Sequence, residues 1–146
     1  MTTVAADVET GVVVADSLCS DGDTKSRVTK IHRIGGELVG LAGEVAQIEE
    51  WLRWYRRGRK GRRPEVETVQ ALVLSPEGLR HYTGTGATQC EQGRYAIGTG
   101  GKAALAVMLA GHDCRTAVEI ACQVDASSEG PLQVETLNPV VDLQGQ

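Results

Sequence analysis

Two apolar, strand-like runs stand at the very start of the chain. In "MTTVAADVETGVVVADS", Thr3 to Val8 and Val12 to Ser17 flank a short turn at Glu9-Thr10-Gly11. Runs of this composition joined by so few residues read as paired strands. Most chains open on a few disordered polar residues, yet Val4, Ala5 and Ala6 are already core-like. An N-terminus buried in a sheet is the first constraint on the fold, and it suggests that the terminus itself has a job.

The remaining elements follow from periodicity. "CSDGDTKS" reads as a polar connection to a short run around Val28 to Ile34, followed by "ELVGLAG", a strand ending in small residues. A helix is expected over 44–57, with Val45, Ile48, Trp51, Leu52 and Tyr55 on one face. "TVQALVLS" and "LRHYTG" flank "PEG" as a hairpin, and "RYAIGTGG" is a strand entering a glycine turn. Helices over 102–110 and 116–124 and a last strand over 131–137 complete the order β-β-β-β-α-β-β-β-α-α-β. Strands at both ends and helices in two places predict an α+β arrangement of two packed sheets with helices outside.

With 146 residues, one domain spanning 1–146 is expected. The sequence has no Phe and only 3% aromatic residues, so the core must be aliphatic and closely packed. It contains no apolar stretch of about 18 residues and no basic, cleavable leader, which argues for a cytoplasmic protein without a membrane partner. Cys19, Cys90, Cys114 and Cys122 form no CxxC pair, and His32, His81 and His112 are scattered, so neither a disulfide framework nor a metal centre is expected.

Charge is uneven. "RRGRKGRR", residues 56–63, carries six of the fifteen basic residues; the rest of the chain has nine against nineteen acidic, a net of −10. Clustered arginines can neutralise phosphates, but this run lacks interleaved aromatics for base stacking, which argues against nucleic acid. "GTGGKA" at 98–103 fails as a phosphate loop, because Ala96 stands where glycine is needed and no Ser or Thr follows Lys102. Its glycines allow a sharp strand-to-helix turn that would present Thr99 at a helix N-terminus.

Removal of Met1 would leave Thr2 with an α-amine and a hydroxyl on one residue. An α-amine has a pKa of about 7.7–8.0, so it can act as base for its own side chain. Alone, Thr2 reads first as an ordinary strand residue. The whole pattern, however, resembles the proteasome β-subunit family and its bacterial relative HslV. The similar segments are "TTVAAD", "GVVVADS", "SRVTKIHRI", "LVGLAGEVA", "YAIGTGG" and "VDASSEG", in family order from about residue 2 to residue 137.

The resemblance implies the N-terminal-nucleophile hydrolase fold, a four-layer α-β-β-α sandwich. It implies Thr2 as nucleophile, Lys30 as the ammonium that activates it, and Asp16 as the partner of Lys30. Gly43 N–H would form the oxyanion hole, the Thr99 hydroxyl would take the place of a family serine, and Asp125 and Ser128 would position the terminal amine. No cofactor is required. The implied activity is threonine-type endopeptidase action on unfolded polypeptides inside a homo-oligomeric ring; a non-proteolytic amidase or a vestigial assembly component is the alternative. Family ATPases offer carboxylate-bearing tails to the outer face, where Arg56 to Arg63 would face them. Two departures stand out. Leu18 replaces a polar residue, and the ten or so residues before "ETVQALVL" leave room for only one outer helix where the family has two.

Overall fold

Alternation along the first strands decides the layering. The computed structural model describes residues 2–84 and 86–137; Met1, whose removal the proposed chemistry needs, lies outside them, as do residues 138–146 of the expected domain. Strands β1 (Val4–Asp7) and β2 (Val12–Ala15) pair antiparallel in one sheet with β10 (Arg94–Ile97) and β11 (Gln133–Thr136), in the order β10-β1-β2-β11. Side chains of successive strand residues point to opposite faces. Val4, Ala6, Val13 and Ala15 therefore face one way, and Ala5 and Val14 the other.

The first face meets a second sheet, the meander β5 (Ile31–Ile34), β6 (Glu37–Ala42), β7 (Gln70–Ser75), β8 (Gly78–Tyr82) and β9 (Ala87–Gln89). Leu38, Leu72, Leu74, Leu79 and Ile97 complete an aliphatic core between the two sheets. The sheets come so close that a Cβ on Gly40 would lie 2.5 Å from Val4 Cγ1. The other face of the first sheet is covered by α2 (Gly101–Leu109) and α3 (Cys114–Val124), through Ala104, Met108, Ala117, Val118 and Ala121. Truncating the buried Met108 to Ala would cost about 2–5 kcal/mol. Helix α1 (Val45–Arg56) covers the outer face of the meander. The result is the α-β-β-α sandwich expected from the element order.

Some boundaries and three strands differ from expectation. The stretch read as a polar connection is a hairpin, β3 (Leu18–Asp21) and β4 (Thr24–Arg27), with Gly22 at φ 58° in its turn. The edge strand β9 was also not expected. Helix α3 begins at Cys114 rather than 116, because Asp113 caps it by accepting from Thr116 N at 2.8 Å. On α1, Val45 is exposed and Trp54 is buried, the reverse of what the helical face suggested.

Among the described residues α1 is the one helix on its layer, and an aromatic cluster does the remaining covering. Trp51 stacks on Tyr55 at 4.9 Å and meets Trp54 and Tyr82 edge-on. Val66 and Val69 from the segment after the basic run close the cluster. That run is not wholly a solvated loop. Arg63 lies over the Trp54 and Tyr82 rings and donates to Thr83 O and Gly86 O; Arg59 donates to Tyr82 Oη at 3.2 Å.

Candidate active site

Antiparallel pairing gathers the sequence-predicted residues at one end of the sandwich. Thr2 precedes β1 and Lys30 precedes β5, whereas Asp16, Gly43 and Thr99 follow β2, β6 and β10. Neighbouring antiparallel strands put the start of one beside the end of the next: Val4 pairs with both Ala15 and Ile97, and Ile31 pairs with Gly40. Asp125 caps the C-terminus of α3 at the same end, with Ser128 just beyond.

Lys30 Nζ is the centre of the cluster. It donates to Thr2 Oγ1 at 3.0 Å and to Asp16 Oδ1 at 2.9 Å, with Lys30 6% and Asp16 0% exposed. Burying such a pair is tolerable only when the remaining lone pairs are also satisfied. Asp16 meets that condition: Oδ1 accepts from Thr3 N at 3.0 Å, and Oδ2 from Leu18 N at 3.2 Å and Glu129 N at 3.1 Å. Thr3 and Glu129 are thus part of the cluster although neither was singled out in the sequence. The doubled threonine was the available signal for Thr3; a backbone amide such as that of Glu129 leaves none.

On the other side of Thr2, the hydroxyl directions can be worked out. Asp125 Oδ2 accepts from Thr99 Oγ1 and from Ser128 Oγ, both at 2.6 Å. Each hydroxyl has one proton, so Thr99 accepts from Thr2 N at 3.3 Å and Ser128 accepts from Thr3 Oγ1 at 2.7 Å. Burial acts to raise the Asp125 pKa, but the Ser128 and Thr99 hydroxyls and the Ser127 amide outweigh it and hold the carboxyl below its ordinary value. The glycine turn allows this approach. A Cβ on Gly98, where φ is +92°, would overlap Thr2 O, and one on Gly100 would overlap Thr3 Oγ1. Gly100 N instead donates to Thr2 O at 3.2 Å.

Gly43 has φ 141°, and a Cβ there would lie 2.7 Å from Thr68 O, so the position admits glycine alone. Leu41 N donates to Lys30 O at 3.0 Å; by strand alternation the Gly43 N–H faces the same side, and no acceptor among the described residues takes it. It borders a cavity of ≈ 650 Å³ that Thr2 and Lys30 also line. Leu18, Val28, Leu41 and Ile48 supply apolar wall, and Asp21, Glu44 and Glu49 supply carboxylates. His32 lies in the wall as well. Burial first, then the Arg56 charge, lowers its pKa against a smaller opposing effect of Glu49.

No family model matches the sequence, and no curated protein does. Solved structures match over nearly the whole chain. BPH of Thiobacillus denitrificans in complex with epoxomicin is 20% identical, with a TM-score of 0.69, and the match covers 94% of this chain and 100% of that one. HslV of Trypanosoma brucei is 25% identical, with a TM-score of 0.69, covering 91% and 97%. The chain has the HslV-like, N-terminal-nucleophile hydrolase fold. A further structure of T. denitrificans BPH superposes with a TM-score of 0.68 at 19% identity.

Within this HslV-like fold the Thr2 cluster occupies one end, and the basic run lies on the α1 layer. A second cleft of ≈ 420 Å³ there is lined in part by Arg53, Arg57, Arg62 and Arg63. The three histidines lie apart, on β5, on β8 and in the α2–α3 connection, and the four thiols are free. Among the described residues no helix is long and apolar enough to cross a membrane.

Proposed function

We propose that the chain is an N-terminal threonine peptidase acting on polypeptides within a homo-oligomeric ring. The observation that carries this reading is the buried Lys30 ammonium bridging Thr2 Oγ1 and Asp16 Oδ1. Lys30 donates to the Thr2 oxygen, and in this reading the hydroxyl gives its proton to the α-amine that loss of Met1 creates. The amine takes that proton as Oγ1 attacks the scissile carbonyl, and Lys30 stabilises the oxygen while its charge develops. Thr99, its own proton committed to Asp125, accepts an amine N–H and so orients the amine lone pair. The Gly43 N–H receives the oxyanion of the tetrahedral intermediate. Collapse passes the proton from the amine to the leaving nitrogen and leaves an ester on Thr2, which water hydrolyses by the same route.

Support for this chemistry over an amidase or a vestigial site comes from the completeness of the cluster and from the size of the cavity, which accommodates a peptide side chain. In a ring, partner docking by the basic run falls to Arg56, Arg57, Lys60 and Arg62, since Arg59 and Arg63 are engaged by the fold. The test begins with intact mass, expected to show a chain starting at Thr2. Epoxomicin, which T. denitrificans BPH binds, should add to Thr2 through both hydroxyl and amine. Thr2→Ala should fold, take no adduct and hydrolyse no peptide. Undiminished hydrolysis by Thr2→Ala would overturn the assignment.

A further inference from the structure

We propose that Gln133 is a positioning residue that fixes Lys30 against Thr2 and Asp16; its catalytic consequence rests on the peptidase reading above. Gln133 stands on β11, opposite Ala15, the last residue of β2 before Asp16. Its side chain leaves that sheet and reaches the start of β5 in the other. Oε1 accepts from Lys30 N at 2.7 Å and from Ile31 N at 3.3 Å, and Nε2 donates to Val28 O at 2.6 Å. Lys30 O accepts from Leu41 N at 3.0 Å. Both backbone polar groups of Lys30 are thereby held, one by the meander and one by the strand beside Asp16.

The consequence is geometric. The Lys30 ammonium must stay within hydrogen-bond reach of an oxygen on each of two other segments. Asp16 belongs to the first sheet and Lys30 to the edge of the second, so the distance between them depends on what joins the sheets at this point. Gln133 joins them with one amide. Its acceptor serves two N–H groups and its donor serves one carbonyl, a combination no other side chain of that length provides. Glutamate would keep the acceptor and place a second acceptor against Val28 O. Methionine would keep the shape and lose all three bonds.

A second link between the same strands supplies the control. Arg33 on β5 donates to Glu135 Oε1 at 3.0 Å and Thr136 O at 2.9 Å on β11. It crosses the same seam without touching Lys30.

The test compares Gln133→Met, Gln133→Glu and Arg33→Ala in the full-length protein. Two readouts are used: kcat and KM for a fluorogenic peptide, and the rate at which reductive methylation labels Lys30 in the folded protein. The second needs no peptidase activity. Gln133→Met should lower kcat by about 10- to 100-fold, as misplacement by about 1 Å does, with KM changed less than about twofold. Lys30 labelling should accelerate several-fold. Gln133→Glu should fall between Gln133→Met and wild type, and it decides the matter if Gln133→Met does not fold. Arg33→Ala should lower thermal stability and change neither kcat nor labelling. Wild-type kcat and labelling in the Gln133 variants, or equal effects in Arg33→Ala, would overturn the proposal. If the wild type hydrolyses nothing, the peptidase reading fails and the labelling rates still decide whether Gln133 holds Lys30.

Discussion

Lys30→Ala separates the two things the ammonium does, compensating a buried carboxylate and serving the nucleophile. Removing one partner of a buried ion pair commonly costs about 3–5 kcal/mol, because the other charge is left uncompensated. Asp16 would not be left bare: the amides of Thr3, Leu18 and Glu129 still donate to it. Hydrogen bonds to a charged group contribute about 1.5–3 kcal/mol each, so the expected loss lies at or just below the low end of that range, about 2–3 kcal/mol. At about 2–4 °C per kcal/mol for a chain of this size, the melting temperature should fall by about 4–12 °C. Hydrolysis should fall by at least about 100- to 1000-fold, the usual consequence of losing a group that stabilises developing charge. Lys30→Arg should not restore it, because a guanidinium fork cannot take the place of a compact ammonium between two oxygens. Thermal denaturation and kcat/KM on one preparation give both numbers. A folded Lys30→Ala with wild-type hydrolysis would reduce the Lys30–Asp16 pair to a structural contact. A variant that does not fold would refute the claim that three amides can hold the carboxylate.

The basic run should divide by position: serine at 56, 57, 60 and 62 should leave stability unchanged and reduce only partner-stimulated degradation, whereas Arg63→Ala should lower stability by about 1–3 kcal/mol through its carbonyl and ring contacts. Three carboxylates on the cavity beside Thr2 predict that peptides with Arg or Lys before the scissile bond are cleaved faster than those with Glu. Glu49→Gln should narrow that ratio in kcat/KM without affecting peptides with Leu there. Asp125, whose pKa is depressed in the folded protein, contributes stability that is present above its unfolded value of about 3.9 and lost as pH falls through the lower folded value. Wild type should therefore exceed Asp125→Asn in urea midpoint at pH 7, with the gap closing below about pH 4.

What could be read from the sequence depended on where apolar side chains were needed. β1 and β2 are apolar on both faces, because Val4 and Val13 meet the second sheet while Ala5 and Val14 meet the helices, so the two strands and the layered arrangement were legible. The β3–β4 hairpin has almost no apolar residue to alternate and is held by backbone pairing. Its Asp21-Gly22 pair was nonetheless a usable turn signal. Trp54 was left off the apolar face because helical spacing assumes a single buried face. Here Arg63 folds back over the ring and buries a position just off that face. The site itself could not be assembled from residue types, since its members come from six segments spread between residues 2 and 129. Family order supplied the grouping. Gln133 had no such support, as a polar residue on a short strand resembles any solvent-facing one until its partners are seen.

The placement of the aromatic residues has a spectroscopic consequence. Both tryptophans, Trp51 and Trp54, lie on α1 against the meander, with Tyr55 and Tyr82 within 6.4 Å between ring centroids. Tryptophan emission therefore reports on one outer layer and is silent about α2, α3 and the sheet beneath them. If emission and far-ultraviolet ellipticity change at the same urea concentration, the two halves of the sandwich come apart together. Separate midpoints would give the α1 layer a stability of its own. The same helix contributes Ile48 and Glu49 to the cavity beside Thr2, one turn from Trp51, so an occupant pressing on that wall has a native fluorophore to register it.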